Sequence, residues 1–140
     1  MRDRELPDAD TFLDAADEAF GYLRDAGFIV PHGGRVAAPT YDALECHGRH
    51  VVVRVSLDRR ERCVDVGFTP SPEGATGSSE VRCVGLLAHA IKHGYRGGLT
   101  EFSGQASGRW FEDNLRTCAA ALKVLAPDVL ADSPTVFGEA

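Results

Sequence analysis

His89 and His93 stand four residues apart in a stretch of helical periodicity, the spacing that brings two imidazoles to one helix face as a helical zinc site requires. The segment reads His89-Ala90-Ile91-Lys92-His93, so it lacks the glutamate that serves as base in a HExxH metalloprotease. Lys92 and Arg96 flank the pair and repel a cation, and a third ligand would have to come from Cys46-His47, far away in the chain. These residues read first as a solvated basic face, with His89 and His93 as the candidate ligands should a metal be held. The cysteines Cys46, Cys63, Cys83 and Cys118 show no CxxC spacing. Cys118 falls in an apolar stripe, where a cysteine acts as a small hydrophobe. Cys63 follows Arg62, which favours a thiolate, but a catalytic thiol also needs an oriented base and no local signature supplies one. In Gly104-Gln105-Ala106-Ser107-Gly108 the serine comes one place too late for a GxSxG nucleophile elbow, and no strand precedes it. Ser107 reads instead as a helix cap. The Gly-Gly and Gly-x-x-Gly fragments lack the Lys-Ser/Thr of a phosphate loop. No catalytic residue is assigned, and no cofactor is expected.

Charge is more informative. The chain carries a net charge of −6 and a pI near 5.3, which argues against a general nucleic-acid binder, since displacing phosphate counterions takes a cationic surface. Residues 1–20 hold seven acids against two bases, most of the imbalance of the whole chain. Asp10, Asp14, Asp17, Glu18 and Asp25 fall opposite an apolar stripe, and an acidic helix face of this kind can steer and select a partner protein with a basic surface. These five are the candidate partner-binding residues. Solvation, with acids favoured near the positive N-terminal end of a helix dipole, accounts for the same pattern without a partner.

The elements that would hold these groups follow from periodicity. Phe12, Leu13, Ala16, Ala19, Phe20, Leu23 and Ala26 predict one helix, capped by Asp10 or Thr11 and ended by Gly27. Phe28-Ile29-Val30 reads as a strand leading through Pro31 and Gly33-Gly34 to a short return strand over residues 36–38. Tyr41–Glu45 continues toward a stronger pair. That pair is residues 50–57 and 63–68, joined by the polar loop Arg59–Arg62. Pairing Asp58 with Cys63 sets Val55 opposite Val66 and Val53 opposite Phe68, which leaves one face dry and the other carrying Arg54, Ser56 and Asp65. Residues 69–77 read as a Pro/Gly loop. A second helix, capped by Ser78 or Ser79, would bury Val84, Leu87, Ala88, Ile91 and Tyr95. A third, after the loop over 97–108, would bury Phe111, Leu115, Cys118, Leu122 and Leu125, widened by Trp110 and Val124 and stopped by Pro127. Asp132-Ser133-Pro134 reads as a cap for one further turn.

The 140 residues suit one α+β domain: an N-terminal helix, an antiparallel sheet, then two or three helices on one face. Such a chain buries roughly 68% of its unfolded surface and needs no staples. No run approaches the roughly 20 apolar residues that span a bilayer, and Met1-Arg2-Asp3-Arg4-Glu5 has no signal-peptide h-region, so a cytoplasmic protein with reduced thiols and no membrane partner is expected. Heavy use of Ala, Arg, Asp, Gly and Val with a single Asn points to a GC-rich bacterial genome.

Three stretches carry a resemblance: residues 20–28, from Phe20-Gly21-Tyr22 to Gly27-Phe28; residues 50–61, from His50-Val51-Val52 to Arg60-Glu61; and residues 125–137, from Leu125-Ala126-Pro127 to Val136-Phe137. In these the chain resembles small actinobacterial α+β proteins that are similar to immunity proteins of polymorphic toxin systems. The resemblance implies a non-enzymatic binder that neutralises a cognate toxin inside the producing cell, and it carries over no functional residue. A secretion chaperone or adaptor can share this acidic α+β build, and a small metal- or thiol-dependent enzyme is the third class.

Overall fold

A computed structural model describes residues 6–70, 84–92, 94–96 and 110–133, with the backbone alone for residue 84 and residues 87–89. The architecture is α+β, as expected. The order is α1 (Ala9–Ala19), α2 (Tyr22–Asp25), β1 (Arg35–Ala37), β2 (Tyr41–His47), β3 (Val51–Asp58), β4 (Cys63–Pro70), β5 (Val84–Gly85), α3 (Leu86–Lys92), α4 (Trp110–Leu125) and α5 (Pro127–Leu130). The five strands form one antiparallel sheet in chain order. No described helix is long and apolar enough to cross a membrane.

The central hairpin has the register read from the valine alternation: Asp58 pairs with Cys63, Val55 with Val66 and Val53 with Phe68. On β2 the same dry face continues through Leu44, opposite Val55, and Cys46, opposite Val53. α1 packs on β2, α4 packs on β4, and the two helices touch each other. Phe12, Leu13 and Ala16 of α1 meet Phe111, Leu115, Cys118 and Leu122 of α4 over the valines of β3 in one buried cluster. All four odd-numbered apolar residues of β3, Val51, Val53, Val55 and Leu57, are fully buried there.

Several sequence expectations are corrected. The first helix is broken at Phe20-Gly21, which turns the chain so that Leu23 is buried and the Tyr22 hydroxyl donates to the carbonyl of Ala119 on α4 at 2.8 Å. Its cap is Asp8, whose carboxylate accepts from the Thr11 N–H at 2.8 Å, and neither Asp10 nor Thr11 takes that role. Gly27 does end the second piece. At φ 100° it lets its own N–H reach Arg24 and that of Phe28 reach Leu23, with Phe28 and Leu23 buried together. Residues 28–30 form a single bridge, Ile29 to His47, and the return strand is β1, paired with β2 instead. Thr69 and Pro70 belong to β4, because the register carries Val52 and Val51 out to them. Val84-Gly85 is an edge strand on β4, so the helix after it starts at Leu86. That shift turns Leu86 and Ala90 inward and leaves Ile91 57% exposed. On α4, Ala119 and Ala121 fill the stripe while Val124 faces outward at 64% exposure. Ser78, Ser79 and Ser107 lie outside the described residues.

Two carboxylates tie the helices to the ends of the β2–β3 hairpin. At one end Asp42, 1% exposed, accepts from Arg59 Nη2 at 2.5 Å and from its Nε at 3.3 Å, and Arg59 Nη2 also donates to the carbonyl of Pro7 just before α1. At the other end Asp132, at φ 53°, accepts the N–H groups of Arg49, His50 (2.8 Å) and Val51 (3.0 Å), so it caps the hairpin turn, while the further turn expected after Pro134 lies outside the described residues. Gly48 makes this approach possible, since a Cβ there would lie 2.6 Å from Asp132 Oδ1.

Asp132→Ala strips three turn amides of their acceptor, and in urea denaturation it is expected to cost about 2 kcal/mol, with Gly48→Ala in the same direction by displacing the carboxylate. Arg59→Met leaves Asp42 charged and unpaired in a dry site and is expected to cost about 3 kcal/mol or more, whereas the double change Asp42→Leu with Arg59→Met recovers most of that loss.

Candidate functional site

The acidic face of α1 and the polar face of the sheet are the two surfaces on which polar side chains gather. On α1, Asp10, Asp14 and Glu18 follow one another at i, i+4 and i+8 and are all exposed, so they form a straight ridge along the helix. Asp14 is met by Arg35 of β1, whose Nη2 donates at 2.8 Å, and Asp17 is ion-paired with Arg24 of α2. Asp10 and Glu18 make no ion pair among the described residues. Asp25 lies on α2, beyond the break, and so does not continue the row. Four of the five expected partner-binding residues thus share one element. Two of these four already hold arginines, and Asp10 and Glu18 are the uncommitted charges.

Sequence reasoning missed what adjoins this ridge. A groove of about 270 Å³ runs between α1 and α4, lined by Ala15, Glu18 and Ala19 on one side and by Glu112, Leu115 and Arg116 on the other. Arg116 turns to Asp113 of its own helix at 3.7 Å. The acids of the first turn of α4, placed there by the helix dipole, therefore extend the acidic surface of α1 across the groove. The signal was in the sequence as Glu112-Asp113 beside the Phe111 stripe. It became legible only once α4 was seen to pack on α1.

The second face of the sheet carries Tyr41, Arg54, Ser56 and Asp65, with Ala43 and Val52 buried among its residues. The Arg54 guanidinium lies 5.0 Å from the centroid of the Tyr41 ring. Beside it a depression of about 400 Å³ is lined by Thr40, Tyr41, Arg54, Ser56, Cys63 and Asp65 among others. Asp58, at the rim, is committed to the hairpin loop, where its Oδ1 accepts the N–H groups of Arg60 and Glu61 at 2.9 Å each.

Among the described residues, no metal or thiol chemistry assembles. Cys46 points into the core and His47 to the opposite face, where its Nε2 lies 3.2 Å from Glu45 Oε1, so the two cannot serve as one ligand pair. His89 is on α3 but its side chain, like His93, lies outside the described residues. Among the described residues, no three His, Cys, Asp or Glu side chains converge as a metal site. Burial pushes the Cys46 thiol up to about 11, with Asp17 adding to the shift, and burial likewise pushes Cys118 up to about 11. Neither thiol is a nucleophile near neutrality. Cys63 is exposed at the start of β4.

No protein-family model, curated protein or solved structure matches the chain.

In native protein at pH 8, a thiol reagent is expected to modify Cys63 rapidly and to reach Cys46 and Cys118 only after unfolding, as read by mass spectrometry of labelled peptides. The raised thiols also give stability a pH dependence. Keeping both neutral favours the folded state fully below the ordinary thiol value of about 9.0, and this advantage is lost as pH rises through about 11. Urea midpoints measured at pH 8 and pH 10.5 are expected to fall with pH, and to fall less in Cys118→Ala.

Proposed function

We propose that this chain is a non-enzymatic protein-binding protein, immunity-like in role, which holds a basic toxin stoichiometrically in the bacterial cytosol. The observation that carries the reading is Glu18. It stands in the last turn of α1, where the negative end of the helix dipole disfavours an acid, and no basic residue occupies that turn. It is exposed, four residues from Asp14, beside the groove that α4 lines with Glu112. A carboxylate that works against its own helix, in a row of others, is explained by contact with a cationic surface better than by solvation. The net charge of −6 and the resemblance noted for residues 20–28, 50–61 and 125–137 support the same reading. Cys46 and Cys118 buried as free thiols, and Cys63 exposed as one, suit a reducing compartment.

The test uses purified chain as bait in extracts of the source organism. A single basic protein is expected in stoichiometric complex, toxic when expressed without this chain and harmless with it. Reversing the two uncommitted charges, Asp10→Lys with Glu18→Lys, is expected to slow association roughly tenfold and to weaken its salt dependence. Glu18→Gln alone is expected to stabilise the free protein by about 0.3 kcal/mol, read from its urea midpoint. Capture that the double reversal leaves unchanged removes the ridge from the interface, and a captured partner without toxicity removes the immunity role.

A further inference from the structure

Arg54 sits near the centre of the sheet, on the face turned away from α1 and α4, directly opposite Glu45 on β2 and Gly67 on β4. Its Nε is buried and donates to no acceptor, and its guanidinium makes no ion pair among the described residues. Glu45, its cross-strand neighbour, is turned to His47. The guanidinium is held instead over the Tyr41 ring, which fixes its plane without satisfying its N–H groups. A buried, charged donor left without an acceptor is costly, and a planar fork held in place by an aromatic ring is preorganised for an acceptor with two oxygens.

The surroundings suit such a guest. Arg54, Ser56 and Asp65 line both the 400 Å³ depression toward Tyr41 and a second one of about 280 Å³ toward Gly67 and Gly85, so the two adjoin along the sheet with the guanidinium between them. Gly67 and Gly85 line the second half, and nothing lies within 4 Å of where a Cβ of Gly85 would stand. Ser56 supplies a hydroxyl donor beside the fork, and Arg60 adds a second guanidinium at the rim. The acids nearby do not fill the role of acceptor for Arg54. Asp58 is taken up by the loop amides, and Asp65 Oδ1 lies 3.2 Å from its own strand's Val66 N–H.

We propose that this trough is a binding site for a small oxyanion, a carboxylate or phosphate group, received by the Arg54 fork with Ser56 and Arg60 as further donors. The site lies across the sheet from the acidic ridge and does not depend on the reading given to that ridge.

The experiment is a titration of the full chain with inorganic phosphate and, separately, with succinate, each against sodium chloride at equal ionic strength. The Arg54 Nε–H resonance, assigned by its loss in Arg54→Lys, is followed by ¹⁵N NMR together with the backbone amide resonances of Ser56 and Gly67, which persist in the Arg54 variants and report binding there. Saturable shifts of the Arg54 resonance with either anion are expected, and the arm that saturates at lower concentration names the group. Affinity is expected to fall at least about tenfold in Arg54→Gln and less in Arg54→Lys, which keeps the charge but not the fork. Asp10→Lys with Glu18→Lys is expected to leave it unchanged. Should Arg54→Gln unfold, Tyr41→Leu and Ser56→Ala serve instead, each expected to weaken binding severalfold. An Arg54 resonance that moves no more with phosphate or succinate than with chloride overturns the proposal. So does binding that survives Arg54→Gln in the folded protein.

Discussion

The described layers of this molecule answer to the alternation of side chains along β3. Val51, Val53, Val55 and Leu57 alternate with Val52, Arg54, Ser56 and Asp58, so β3 dictates which way its neighbours must turn: a slip of one residue would put Arg54 in the core and four apolar side chains in water. Because the apolar face must be covered, α1 and α4 are both drawn to it and thus to each other, and Tyr22 of α2 then bonds Ala119 of α4 across nearly a hundred residues of chain. Covering one face leaves the other polar. The distribution of charge follows from the same demand. Acids that cannot enter the core accumulate on the outer side of α1 and at the start of α4, and the arginine that cannot enter it is left on the open side of the sheet.

Burial of that face says where the layers go, but polar contacts say where they stop. Asp42 stands on the dry face at the end of β2, a place where an unpaired carboxylate would be excluded, and Arg59 both neutralises it and reaches the backbone ahead of α1. This pair is a registration device at least as much as a stabilising one, since a buried ion pair offsets much of its attraction with lost hydration. Asp132 plays the matching part at the other end with backbone amides in place of an arginine. The helical layer is thus pinned at both ends of the hairpin, and its sliding along the valines, which apolar contacts alone would resist only weakly, is prevented.

The parts legible in the sequence were those with a period. Valine alternation yielded the hairpin and its register, and the spacing of Phe111, Leu115, Cys118 and Leu122 yielded α4. What periodicity could not give was anything set by contacts distant in sequence. Arg59 read as one more polar loop residue because Asp42, its partner, lies 17 positions away in what looked like an unremarkable strand. Asp132 read as a local cap because the dipeptide Ser133-Pro134 follows it, while its real partners are in the first half of the chain. The break at Phe20-Gly21 was invisible since the apolar spacing runs on smoothly through it, and only the reach of Tyr22 to α4 requires it. Ile91 illustrates the opposite failure: with the helix taken to start before Val84 it fell inward, and conversion of two residues into an edge strand turned it out. Of the acidic face, four of five residues were placed correctly by helical geometry. The trough at Arg54 was half visible, in that alternation put Arg54 on the open side, but its stacking on Tyr41 needed the pairing of β2 with β3.

The clasp at Asp132 bears on how the chain is made. The tip of the β2–β3 hairpin is completed by a residue 81 to 83 positions further on. A ribosome-bound nascent chain therefore carries that tip with three bare amides until Asp132 has been added, and its oily side stays uncapped until α4 has followed. Closure waits for Asp132, which makes the polypeptide that still lacks it, rather than the folded one, the form most exposed to chaperones and to unwanted strand pairing.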